Sequence, residues 1–399
     1  MAEVSDSPAG ASAREILRWP YGNNPEQVLL VSLENAILKS RGSRSGSIVS
    51  AEEKILREFG ADVFKSVFRD SGTIADAYSS SLTLLRERPG AGLRLNLRID
   101  PPEMAMLPWE YAFDERSKPD RYLCLKKSSP VVRQLGNAHG LSEVQINGPV
   151  RILAMIANPG GGWDWLDTEK ERRQMEQILQ GPALAASVEF SWTLRATRDE
   201  LFDAMQKGPW HIFHFIGHGG TDSFIGADGE YHSEGFVVMD DGQGRPMNVN
   251  ATELAQILSN GNVSLAVLNC CESARGNASS SVGATLVDAG VPMAIAMQFA
   301  ISNISASRFS DRFYRSLADG LKVEAALTVA RNYMRLESDS EWAIPVFFTS
   351  AASSSLFSAP PAHVAGIASA AVAAKPEAAD AVVQMTRAQE ELRRLWGAP

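Results

Sequence analysis

Apolar positions in the second half of the chain fall in short continuous runs: VRILAMIA over 150–157, WHIFHFI over 210–216, SLAVLN over 264–269 and MAIAMQF over 293–299. Runs of about 4–8 apolar residues bounded by turn signals read as buried strands. Between them, apolar residues recur at helical spacing, and Thr168 with Glu171, Thr197 with Glu200 and Asn250 with Glu253 have the spacing of capping boxes that open helices. A further strand is predicted in VEFSWTL, a helix from about Ser281, two helices through Glu337 and a last strand over Ile344–Phe348. Strands alternating with helices predict an α/β domain over 148–357, a mostly parallel sheet with helices on both faces.

The first half is less regular. Residues 1–24 are polar, with Ser, Gly and Pro, and read as a loose arm. The run VLLVSL from Val28 reads as a strand, Ala51 opens a helical pattern, and LRLNLRI over 93–99 alternates as a half-buried strand does. The prolines of DPPEMAMLPWE then break regular structure, and Trp109 supplies a large buried anchor. These elements predict a smaller, packed α/β front domain over 25–147. After Phe357 the composition turns to Ala and Pro, so 358–399 reads as a linker and a C-terminal helix, with Val382, Met385, Leu392 and Trp396 on one side.

With 399 residues the chain buries a full core, and its net charge of -9, with no cluster of Lys and Arg, argues against nucleic acid as a partner. The three cysteines are odd in number, Cys270 and Cys271 are adjacent, and no signal-peptide pattern opens the sequence; a reducing, cytoplasmic location is expected. The longest apolar stretch falls short of the ~20 residues of a membrane-spanning helix, so no span is expected.

Two motifs fall where predicted parallel strands end, the edge at which open α/β sheets place their functional crevice. In FIGHGG, glycines flank His218; in LNCCESA, the cysteines follow the strand. A histidine about fifty residues before a cysteine suits nucleophilic catalysis: the imidazole takes the thiol proton and later protonates the leaving amine. The backbone N–H groups of Gly219 and Cys271 would form the oxyanion hole. His211 and His214, three apart on a strand, read as core histidines, and Cys124 as a small buried hydrophobe. The His and Cys spacings match no usual zinc pattern, so neither metal nor cofactor is expected.

The second half resembles the CHAT domain, a caspase-like cysteine peptidase family of the separase clan. The resemblance runs from FHFIGHGG through EGFVVMDD, LNCCESAR and GVPMAIAMQFAISN to FYRSLADG, and LRLNL, LPWE and PVVR resemble the family's front portion. It implies His218 as base, Cys271 as nucleophile, a protein substrate, a regulatory protein partner or activator, and a regulated role such as bacterial defence or programmed cell death. Where the family often has ISD, this chain has Ile301, Ser302 and Asn303, which weakens the expectation of a basic residue before the scissile bond; Asp222, Asp240 and Asp241 are the other acidic candidates near the pocket. The alternative is a catalytically silent caspase-like module that binds a partner or oligomerises.

Overall fold

The computed structural model describes residues 2–356 apart from 41–48, 117–121, 136–145, 271–280 and some shorter stretches. The first strands, β1 (Ala2–Val4) and β2 (Ala13–Glu15), form an antiparallel hairpin. Helices α1 (Glu26–Lys39), α2 (Ala51–Val67) and α3 (Thr73–Arg86) follow, then β3 (Leu95–Leu97), the single turn α4 (Pro102–Ala105) and β4 (Val131–Gln134). Regular alternation comes next: β5 (Val150–Ile156), α5 (Thr168–Leu179), β6 (Val188–Trp192), α6 (Arg198–Gln206), β7 (Ile212–Gly217). An excursion of β8 (Gly219–Ile225), β9 (Tyr231–Asp240) and β10 (Pro246–Asn250) interrupts it, before α7 (Ala251–Asn260), β11 (Leu265–Cys270), α8 (Val282–Asp288), β12 (Met293–Met297), α9 (Asn303–Ala318), α10 (Val323–Met334) and β13 (Pro345–Thr349).

Eight strands make one sheet in the order β3-β4-β13-β12-β11-β7-β5-β6. Every pairing is parallel except β12 with β13, so a block of five parallel strands meets an opposed block of three. In the five-strand block β5 has β6 on one side and β7 on the other, which places the topological switch point between β5 and β7. Helices cover both faces. Leu265 and Val267 of β11 pack in a cluster with Met175 of α5, Phe309, Phe313 and Tyr314 of α9 and Leu327 of α10. Ala266, Leu268 and Cys270, on the opposite face, pack with Leu201 of α6, Leu254 and Leu258 of α7 and Leu286 of α8. This is the period of two expected of a strand buried on both sides. The architecture is thus the α/β class expected, a mostly parallel sheet with helices on each face.

The front segment adds β3 and β4 to this same sheet, and Leu33 of α1 and Phe59 of α2 belong to the cluster that contains Val267 and Phe313. Within residues 1–24, the β1–β2 hairpin rests on α3, where the Glu15 carboxylate accepts from the Ile74 N–H at 3.2 Å and the Thr73 hydroxyl at 3.0 Å. That bond serves a helix start whose own cap position, Gly72, has no side chain.

Two expectations are corrected. The VLLVSL run is the start of α1: Leu30, Leu33 and Ile37 are buried while Val28, Val31 and Leu38 are exposed, a helical period that the short run hides until the following ENAILK is included. The cap of α5 is Asp167, whose carboxylate accepts from Lys170 N at 3.0 Å, one residue before the Thr168 expected. Thr197, Asn250 and Ser281 do cap α6, α7 and α8. The antiparallel sheet β10-β9-β8 went unpredicted, because GGTDSFI contains too few apolar positions to read as a strand.

Candidate active site

Strands β7 and β11 end level with one another: their register runs from Ile212 opposite Leu265 to Gly217 opposite Cys270. His218 follows the first strand directly and Cys271 follows the second; Cys271 lies outside the described residues. Cys270 itself is 2 % exposed, its side chain packed in the cluster on the α6–α8 face. Gly217 is required where it stands, since a Cβ there would lie 2.9 Å from the Ala157 carbonyl oxygen.

His218 is half-buried, and its Nε2 is buried without a hydrogen-bond partner. Its ring lies against Trp163, with centroids 5.4 Å apart and planes 23° from parallel, and Trp163 meets Phe236 of β9 edge-on at 6.2 Å. Such an offset stack orients the imidazole and favours its protonated form, the ring quadrupole attracting the cation. Trp163 arrives from the loop after β5, across the switch point. Gly161 holds that loop with a φ of +94°, and it packs so close to Pro246 of β10 that a Cβ would approach the proline ring to 2.8 Å. Sequence reasoning missed Trp163. The available signal was NPGGGW directly after a predicted parallel strand, on the edge where His218 stands.

Two printed backbone bonds settle which way the amides around His218 face. The Ile216 carbonyl accepts from Ala157 N and the His218 carbonyl from Val238 N, both at 2.9 Å. Along an extended strand the N–H and C=O of one residue share a side and those of the next residue face the other. Even-numbered residues therefore face the chain after β5 and β9. These lie on one side, as the Gly160 N–H bond to the Gly244 carbonyl at 3.3 Å also requires. Gly217, Gly219, Thr221 and Ser223 face the opposite side, on which Cys270 pairs with Gly217.

The other residues singled out by sequence are placed as follows. Asp222 is exposed on β8, three residues beyond Gly219, and accepts from Asn248 Nδ2 at 3.2 Å. The Asp240 carboxylate accepts from the N–H groups of Gly242 at 2.6 Å and Gly244 at 3.1 Å, so it holds the β9–β10 turn. Asp241 does the same with Gln243 N and Arg245, contacts that keep its carboxyl below the usual range, the Gln243 N–H first. Asn303 is the exposed first residue of α9. Beside it Glu341, almost fully buried, accepts from Ser302 N and Ser302 Oγ, both at 2.7 Å, and from Ser305 Oγ at 2.6 Å.

His211 and His214 take no part in this edge. The His211 Nδ1 accepts from Arg151 N at 2.9 Å, and burial lowers its pKa. His214 is fully buried with Nδ1 2.6 Å from the Tyr314 hydroxyl; burial depresses its pKa to about 3, so it stays neutral at ordinary pH. Burial also pushes the Cys124 thiol up to about 12, which leaves it inert. Among the described residues there is no group of three or more His, Cys, Asp or Glu side chains fit to hold a metal, and no helix long and apolar enough to cross a membrane.

Among solved structures, the Drosophila initiator caspase Dronc is 9% identical with a TM-score of 0.31, covering 54% of this chain and 89% of its own. The Saccharomyces cerevisiae separase, solved as a complex with securin, is 14% identical with a TM-score of 0.36; the match covers 84% of this chain but only 23% of the separase chain. No curated protein matches the chain. A family model described as the CHAT domain matches residues 73–392, from the start of α3 through the C-terminal segment, and the chain belongs to that family.

Proposed function

We propose that the chain is a cysteine peptidase that cleaves a protein substrate, with Cys271 as nucleophile and His218 as general base and acid. The observation that carries this reading is the level ending of β7 and β11, which leaves the imidazole and the CCES segment to begin from paired residues on one sheet edge. The unpartnered, buried Nε2 of His218 adds a proton acceptor with nothing yet to accept.

The Cys271 thiol gives its proton to the His218 imidazole, and the sulfur attacks the scissile carbonyl carbon. A C–S bond forms while the carbonyl electron pair moves onto oxygen, where the N–H groups of Gly219 and Cys271 stabilise it. Collapse re-forms the carbonyl and breaks the C–N bond; the departing amine takes the proton from the imidazolium, leaving a thioester. Water, deprotonated by His218, hydrolyses the thioester and restores the thiol. The chemistry asks for thiols, so a reducing cytoplasm is the setting, and the regulated role implied by the family is the context.

A thiol-directed peptide inhibitor is expected to label Cys271 in the wild type and at least a hundredfold more slowly in His218→Ala. Equal labelling of the two, with the fold intact, sinks the dyad.

Preference before the scissile bond is expected to be neutral or mixed, and Asn303→Asp should raise cleavage after Arg or Lys about tenfold. A carboxylate in a desolvated pocket attracts a cationic side chain, whereas an amide only hydrogen-bonds it. The carboxylates of Asp240 and Asp241 are spent on their own turn and that of Glu341 on α9, which removes them as substitutes. A positional-scanning library run on both proteins decides this; strong Arg or Lys selectivity unchanged by the substitution would place the charge elsewhere.

A further inference from the structure

β8 begins at the residue after His218 and has one partner strand, β9. Its other edge carries the N–H and C=O groups of Gly219, Thr221 and Ser223, and none of these has a hydrogen-bond partner among the described residues. Thr221 and Ser223 are exposed, as are Phe224 (48 %) and Ile225 (62 %) beyond them. Proteins ordinarily guard an open edge with proline, lysine, a bulge or a covering segment. The sequence GGTDSFI has neither Pro nor Lys, and its one charge, Asp222, lies at a position whose backbone faces β9. The β8–β9 register also runs unbroken from Gly219 opposite Val237 to Ile225 opposite Tyr231, so no bulge turns the edge away.

The open edge is continuous with the side of β7 that pairs with β11. That pairing stops at Gly217 opposite Cys270, and the next outward N–H is that of Gly219, the proposed oxyanion donor. Outward groups then repeat every second residue, about 6.6–6.8 Å apart, which is the repeat of any extended polypeptide. A substrate whose scissile carbonyl sits at Gly219 N–H therefore has its next inward-facing amides level with Thr221 and Ser223. We infer that the outer edge of β8, at Gly219, Thr221 and Ser223, is the track on which the protein substrate lies as an added strand. The inference rests on the peptidase reading and deepens it: recognition along this track is by main chain, so the substrate class is an unfolded or extended segment, largely independent of its side chains there.

The test uses the full chain, a proteome-derived peptide library and 2-chloroacetamide, a reagent too small to touch the track. Ser223→Pro deletes one outward N–H, a change that edge strands tolerate. Library cleavage is expected to fall about tenfold in Ser223→Pro while alkylation of Cys271 stays within about twofold; Ser223→Ala, which keeps the N–H, should match wild type in both. Independently, N-methylation along one cleaved peptide, assayed on the wild type, should reduce cleavage at every second amide near the scissile bond; this scan decides alone if Ser223→Pro does not fold. Wild-type cleavage by Ser223→Pro, an equal loss in Ser223→Ala, or a methyl scan without the period of two overturns the track. His218-dependent alkylation of Cys271 without any library cleavage also overturns it and leaves the dyad standing, whereas the absence of both removes the peptidase reading and the track together.

Discussion

Cys271→Ala is expected to abolish peptide cleavage, with a loss of about a thousandfold or more, whereas Cys270→Ala keeps most of the activity. The two residues are neighbours, and strand alternation separates their tasks. Ala266, Leu268 and Cys270 fall on one face of β11 and pack against α6, α7 and α8; Leu265 and Val267 fall on the other. The Cys270 sulfur is committed to that apolar cluster, where a thiol behaves as a small hydrophobe rather than a nucleophile. Its removal leaves a gap of one atom, worth about 1 kcal/mol of stability and little activity. Cleavage rates and thermal midpoints of both variants are the measurement. A folded Cys270→Ala protein with no activity, beside an active Cys271→Ala, would reverse the assignment.

The second half of the chain was legible because its strands are buried on both faces and bounded by caps, so both run length and punctuation point the same way. VLLVSL has the composition of a strand and the burial of a helix, and the deciding information, which of Val28, Leu30, Val31 and Leu33 is covered, exists only once α1 meets its neighbours. His218 could be found because the glycines around it are visible in sequence. Trp163 could not, since its contact with His218 joins loops after two different strands, a product of sheet order rather than of local pattern. The same is true of Glu110 and Arg133. Each looks like a surface charge in LPWE and PVVR, and only the packing of the front segment onto the sheet brings them together in the interior.

Glu110→Ala is expected to destabilise the protein by about 3–5 kcal/mol, because it strands a buried guanidinium. The Arg133 and Glu110 side chains are only 5% and 2% exposed, and they meet through two bonds, Nε to Oε1 at 3.0 Å and Nη2 to Oε2 at 2.7 Å. Arg133 also donates to the carbonyls of Ala105 at 2.6 Å and Leu107 at 3.0 Å, and to Gln298 Oε1 at 3.3 Å, directly after β12. The pair thus fastens the 105–110 segment to the sheet, and the Tyr111 hydroxyl, donating to the Ser340 carbonyl at 2.6 Å, fastens its far end. With Glu110 gone, the carbonyls and Gln298 remain but no charge opposes the guanidinium in a region shielded from water, so the cost of its burial is no longer offset. Replacing both partners by apolar residues, Glu110→Leu with Arg133→Met, removes the charge as well as its partner and should recover much of the loss. A chain starting at Pro149 forgoes the whole arrangement, leaving β13 without β4 and the cluster around Trp342 without Tyr111 and Tyr122, and should be insoluble or inactive. Urea midpoints of the wild type, the two single variants and the double variant close the cycle. A cost below about 1 kcal/mol for Glu110→Ala, or a double variant no more stable than the weaker single, would show that the pair does not hold the front segment in place.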